Sequence, residues 1–244
     1  MHAVQIIHPV ETWSAVAAGA CAAAGALSWA AVAPSSQIFG PTIRHTGNQA
    51  SVALTFDDGP NPALTPSLLE SLDRHAVKAT FFVIGKWVDA APGLAREIVA
   101  AGHTIGNHTY THPALALCSP ARISSELDRS DRAIEAAAGK RPRWMRPPYG
   151  FRGPQLAPVV RKRGGAGVVM WSSMARDWKP QPAETVIERL RRVRGGDIVL
   201  LHDGDPHLAN ADRRHTALAL EYWIPRWKDS GMRFVTLDEI PSRH

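Results

Sequence analysis

The sequence predicts an α/β barrel, on three observations. Short apolar runs of strand length alternate with longer amphipathic stretches from Ser51 onward. About seven such units follow one another, which implies a parallel sheet and favours a barrel over an open sheet. Each unusual polar cluster comes directly after an apolar run, and the strand ends of a parallel barrel converge on one face.

The elements follow in order. Strands are expected at 52–56, 79–84, 103–106, 143–145, 167–171, 198–201 and 234–237, most of them rich in β-branched or aromatic residues. Thr65, followed by Pro66, marks the capped start of a helix through Leu68, Leu69 and Leu72. Pro92 opens a second helix that Gly102 ends, and 121–138 forms a third closed by Gly139. Helices at 155–163, 183–193 and 214–229 complete the series, with Pro225 expected to kink or split the last.

The 244 residues suffice for one sizeable domain, and a hydrophobic content of 45% argues against disorder. Two cysteines, Cys21 and Cys118, exclude a disulfide framework and a four-cysteine metal site, so both read as free thiols. The net charge of +6 suits nucleic acid, anionic lipid or an acidic polymer. The basic residues are dispersed, however. Their one cluster, Arg189, Arg191, Arg192 and Arg194, falls on a predicted helix and its end and reads as a solvated face. With no nucleic-acid motif present, nucleic acid is not an expected partner, and a monomer is expected.

Residues 1–33 form an apolar N-terminal segment, expected to be helical. Within it, 14–33 carries no charge and has about the length of a membrane-spanning helix, although alanine makes it weakly hydrophobic. A cleaved signal peptide fits poorly. No Lys or Arg precedes Arg44, and Pro34 follows the small-residue triplet Ala31-Val32-Ala33. The expectation is an uncleaved membrane segment, a linker at 34–50, and a domain at 51–240.

The polar clusters carry the chemistry. Adjacent carboxylates at a strand end, Asp57 and Asp58, repel each other unless a cation is near. One can bind a metal while the other faces a reacting water; the competing reading is a turn, since Asp-Asp-Gly-Pro is rich in turn residues. His108 and His112, four apart, can share one face of a helical turn and grip one metal. With Asp58 they make a two-histidine, one-carboxylate set that leaves positions open for water and substrate. Zinc is the simplest ion for hydrolysis without redox chemistry. His202 titrates near working pH and suits protonation of a departing group. His103 reads as scaffold, and His75, His207 and His215 as surface residues.

Four blocks, Thr55-Phe-Asp-Asp-Gly-Pro60, His108-Thr-Tyr-Thr-His112, Arg146-Pro-Pro-Tyr-Gly150 and Leu200-Leu-His-Asp203, resemble the signature blocks of the polysaccharide deacetylases, carbohydrate esterase family four. The resemblance runs in the family's order over roughly 51–240. It implies a distorted, incomplete (β/α)7 barrel acting on an acetylated glycan of chitooligosaccharide or peptidoglycan type. It implies a divalent metal, Zn2+ first and Co2+, Ni2+ or Mn2+ as alternatives, held by Asp58, His108 and His112. Asp57 would be the general base, paired with Arg146, and His202 the general acid. The backbone N–H of Tyr149 would meet the oxyanion, and Trp178 and Leu200 would line the acetyl pocket. An extracytoplasmic place at the cell envelope, with the N-terminal segment as anchor, fits such a substrate. The family usually carries an acid where Met174 stands; Asp177 is the favoured replacement partner for His202, ahead of Asp203. An O-acetyl esterase and a non-catalytic glycan-binding relative are the competing readings.

Overall fold

The computed structural model describes residues 9–164 and 167–240. In chain order the elements are α1 (Pro9–Val32), β1 (Thr42–Ile43), β2 (Ser51–Asp57), α2 (Thr65–Arg74), β3 (Thr80–Val83), α3 (Gly85–Ala90), α4 (Pro92–Ala100), β4 (Thr104–Asn107), α5 (Pro120–Ala138), β5 (Trp144–Met145), α6 (Leu156–Lys162), β6 (Gly167–Val169), β7 (Ser173–Met174), α7 (Ala183–Leu190), β8 (Ile198–His202), α8 (Arg214–Asp229) and β9 (Arg233–Phe234). The strands run β1-β6-β5-β4-β3-β2-β8-β7, with β9 added beside the start of β2. Every pairing between them is parallel. The sheet curls without closing, because the path ends at the two-residue strands β1 and β7. This is the incomplete barrel that the resemblance implies.

Strand β2 shows how the pattern positions the site. All seven of its residues are buried. Val52, Leu54 and Phe56 face the helices, in one cluster with Leu68 and Leu72 of α2, Ile98 of α4, Ile134 of α5 and Leu220 of α8. Fully burying a side chain such as Leu54 stabilises by about 1.5–3 kcal/mol. The alternate residues point inward. Ala53 joins the interior cluster of Phe82, Trp144, Val169 and Ile198. Thr55 and then Asp57 follow on the same inner face, so the pleat carries the inner line from apolar filling to a carboxylate at the strand end.

Several elements depart from expectation. Thr65 does not cap α2: Leu64 stands at that position without a side-chain cap, and the buried Thr65 hydroxyl donates to Asp203 Oδ2 at 2.5 Å. Pro225 does not split α8, which runs unbroken from Arg214 to Asp229. Buried Ile224 and Trp227 hold both sides of the proline against the core. The linker at 34–50 is not free chain, since its Thr42 and Ile43 pair with Val168 and Val169 of β6. The expected strand at 234–237 shortens to β9, followed by a 3-10 turn at Leu237–Glu239 that Thr236 caps.

The N-terminal helix touches the barrel only at its end, as far as its described side chains go. Positions 21–29 are exposed and Ala30 is buried. Arg152 fastens the following turn: its backbone N–H donates to Ala31 O at 2.9 Å, and its guanidinium to Ala33 O at 2.6 Å and Ser36 O at 3.0 Å. A cation at a helix C-terminus satisfies orphan carbonyls and meets the negative end of the helix dipole. None of the described helices is long and apolar enough to cross a membrane, so the expected membrane segment gains no support. Residues 1–8 lie outside the described residues. Cys21 and Cys118 are free.

Candidate active site

The strand ends bring the polar clusters together around a cavity of about 540 Å3. Asp57, Asp58, His108, His112, Tyr149, Trp178, Leu200 and His202 all line it. Arg146 and Asp177 stand behind that lining, fully buried. Every sequence-predicted site residue therefore lies in or directly behind one cavity.

Asp58, His108 and His112 form its metal-type corner. Their candidate ligand atoms all lie within 4.8 Å of one another, and all three residues are buried. Asp58 Oδ1 is 3.1 Å from His112 Nε2 and 3.5 Å from His108 Nε2, yet makes no hydrogen bond. A buried carboxylate oxygen facing two imidazole nitrogens without a hydrogen bond is costly, and a cation bound between them relieves that cost. His108 Nδ1 lies 2.8 Å from Arg146 O. A proton donated there fixes the tautomer and leaves Nε2 with its lone pair toward Asp58. Burial opposes ionisation of Asp58; in the absence of an ion, protons on the facing His108 and His112 rings would hold its carboxyl well below the usual carboxylate range. The donor set of two nitrogens and one oxygen fits a divalent metal such as zinc.

The two histidines are not presented by a helical turn, as their spacing suggests. They follow β4 in a loop in which Thr109 (φ 67°) and His112 (φ 62°) are left-handed. Asp58 (φ 73°) is left-handed as well. That twist turns its carboxylate away from the line of Asp57, so neighbours in sequence serve different positions.

Asp57 belongs to a second group. Its Oδ1 accepts from Arg146 Nη1 at 2.8 Å, and the same nitrogen donates to Thr55 Oγ1 at 2.8 Å. Arg146 also donates to Met170 O at 3.2 Å and lies 4.3 Å from the Phe82 ring centroid. The fully buried guanidinium is thus fixed on several sides, which a buried ion pair requires.

His202 carries the third group. Its Nδ1 is 2.8 Å from Asp177 Oδ1, and its backbone N–H donates to Asp177 Oδ2 at 2.9 Å. Burial disfavours the imidazolium, but the adjoining Asp177 carboxylate outweighs it, and the His202 pKa is raised to about 9. Asp177 is held in turn by the Thr216 hydroxyl at 2.7 Å and packs its carbonyl on His215 Nε2 at 2.9 Å. Asp203, the other candidate partner, instead accepts from Thr65, and burial raises its pKa to about 7. Met174 packs with Met170, Trp171 and Leu200 as an apolar wall beside this group. Tyr149 and Trp178 are half exposed at the rim, with Trp178 edge-on to His202 at 6.0 Å.

One reading of histidine changes. His215 is not a surface residue; it is buried behind Asp177. His207 is exposed as expected, at the edge of the cavity. His103 is scaffold, accepting the Ala79 N–H at Nδ1. Thr55, Thr216 and His215 were missed because nothing local sets them apart. They matter through partners far along the chain.

A carboxylate paired with an arginine, a metal-type triad and an acid-paired imidazole meet at the strand ends of an open parallel barrel, the arrangement of a hydrolase site. The polysaccharide deacetylase family model matches residues 44–168. A chitooligosaccharide deacetylase of Bradyrhizobium sp. is 43% identical over 198 residues, covering 78% of this chain and 90% of its own. The peptidoglycan N-acetylglucosamine deacetylase PgdA of Listeria monocytogenes is 35% identical over 201 residues, covering 82% of this chain and 41% of its own. The crystal structure of a peptidoglycan N-acetylglucosamine deacetylase superposes with a TM-score of 0.75 at 33% identity, over 83% of this chain and 94% of that one. A pseudoenzyme of carbohydrate esterase family four from Bacillus anthracis superposes at 0.74 with 31% identity, over 82% and 68%. The chain belongs to the polysaccharide deacetylase family.

Proposed function

We propose that this chain is a metal-dependent N-deacetylase that releases acetate from N-acetylated amino sugars of a chitooligosaccharide- or peptidoglycan-type glycan. One observation carries the reading: a buried two-histidine, one-carboxylate corner and an acid-paired His202 line the same cavity as Asp57. A pseudoenzyme shares the fold, so the fold alone does not confer activity. Here the base, the triad and the acid all stand together.

Asp58, His108 and His112 would hold a divalent ion, Zn2+ first. When bound, it supplies Lewis acidity to the acetyl carbonyl and acidifies a water. Asp57, oriented by Arg146, takes the proton of the attacking water. The Tyr149 backbone N–H receives the charge that develops on the carbonyl oxygen. An amide nitrogen leaves poorly unless protonated. His202, kept cationic by Asp177, donates that proton from Nε2, since Nδ1 is committed to Asp177. Leu200 and Trp178 receive the acetyl methyl group. The catalytic domain spans 51–240 together with β1, and its substrate class puts its work outside the cytoplasm, at the cell envelope.

Acetate release from a chitooligosaccharide is the test. Activity should vanish on chelation and return with Zn2+ or Co2+. Release from O-acetylated xylan alone would replace this reading with an esterase. No release from either, by protein that binds Zn2+, would leave a glycan-binding relative.

A further inference from the structure

Thr109, Tyr110 and Thr111 join the two histidines, and of the three only Thr109 is fully buried. Tyr110 is half-buried and Thr111 exposed. Its flanks, Thr109 and His112, take left-handed backbone that residues with a side chain rarely adopt. Something outside the bridge must hold that shape. Part of it comes from within: Asn107 Oδ1 accepts the Thr109 N–H at 2.7 Å, and Thr109 Oγ1 accepts the His112 N–H at 3.0 Å. The middle is held from two sides: the Gly85 and Lys86 N–H groups of α3 donate to Thr109 O at 2.9 Å and Tyr110 O at 3.1 Å, and α5 holds the N–H side. Glu126, 1% exposed, accepts at Oε2 from the N–H of Tyr110 at 3.1 Å and of Thr111 at 2.7 Å. Its Oε1 accepts from the Thr111 hydroxyl at 2.9 Å, and Arg122 balances its charge at 2.7 Å. Charge-assisted bonds to two successive backbone N–H groups fix the peptide planes as well as the distance.

We infer that Glu126 is a positioning residue that sets the metal affinity of the site. Its carboxylate clamps the arc of backbone that aims His108 and His112 at Asp58, and it touches neither the ion nor the substrate. The inference rests on the metal reading above. Without the clamp the Tyr110 and Thr111 N–H groups lose their partner and the bridge is held less tightly, so part of the metal's binding energy goes into ordering it. Loss of an outer partner of this kind typically weakens metal affinity about 10–100-fold.

Zn2+ is titrated into the full metal-free chain in competition with a chromophoric chelator, and the melting temperature of each metal-free protein is recorded alongside. Glu126→Ala should raise the Zn2+ dissociation constant about 10–100-fold. Glu126→Gln, whose amide oxygen still accepts both N–H groups, should fall between it and the unaltered chain. A merely structural role would lower the melting temperature and leave the affinity of the folded protein unchanged. Folded Glu126→Ala with unaltered Zn2+ affinity overturns the inference. Should that variant not fold, unaltered affinity in Glu126→Asp, whose carboxylate is one methylene too short to keep both N–H groups, overturns it instead. An unaltered chain that binds no Zn2+ defeats the metal reading itself, and the inference with it.

Discussion

His202 and Asp177 are joined twice: side chain to side chain, with Nδ1 2.8 Å from Oδ1, and backbone to side chain, with the His202 N–H 2.9 Å from Oδ2. The double contact fixes the ring and its charge together. Asp177 is thus the acidic partner of His202, while Met174 belongs to an apolar wall nearby.

The first prediction follows from that charge. The pKa of His202 is raised to about 9, with the Asp177 carboxylate overcoming burial. Asp177→Asn removes the carboxylate, the imidazole loses its proton at lower pH, and the alkaline limb of the pH–rate profile should move down by about 1–3 units. An alkaline limb that stays in place while the acidic limb moves would assign Asp177 to the base instead.

The same pair makes stability depend on pH. A histidine whose folded pKa lies above its unfolded value of about 6.5 contributes stability that is complete below that value. The contribution is lost as pH rises through about 9. In metal-free protein, the gap in unfolding free energy between the unaltered chain and Asp177→Asn should be largest near pH 6 and shrink above pH 9. A gap independent of pH would show that His202 is not charged in the folded state.

Asp57 and Asp58 should separate experimentally. Asp57→Asn should retain metal and lose turnover by at least about 100-fold, the usual scale for a general base. Asp58→Ala should lose the metal itself. Metal content by elemental analysis, measured beside acetate release, decides the matter; equal metal loss from both variants contradicts the division of roles.

Arg146 tests the support behind the base. It is fully buried, and its charge is met by Asp57 at 2.8 Å. Arg146→Met leaves the Asp57 carboxylate buried without its partner and should destabilise the fold by about 3–5 kcal/mol. Denaturant unfolding measures this directly. A loss below about 1 kcal/mol would mean that water replaces the guanidinium with little strain.

Much of this was legible in the sequence, because the signals concerned are local. β2 is buried on both faces and reads in the sequence as a short apolar run, so its position, with Asp57 and Asp58 at its end, is visible without a structure. The motif residues announce themselves by chemistry that a fold has little other use for: paired aspartates, spaced histidines, a histidine ending a strand. The tertiary structure decided what holds them. Thr55 bonds Val199 across 144 residues, Thr216 bonds Asp177 across 39, and Glu126 reaches Thr111 across 15. Threonines and a helical glutamate look the same in sequence whether they face water or a catalytic carboxylate. Likewise β1 has only two residues and exists because β6 lies beside it, and the His108–His112 loop takes left-handed turns where their spacing alone suggests a helix. A hydrogen-bond partner is set by which elements pack together, and that is a property of the folded chain rather than of any stretch of it.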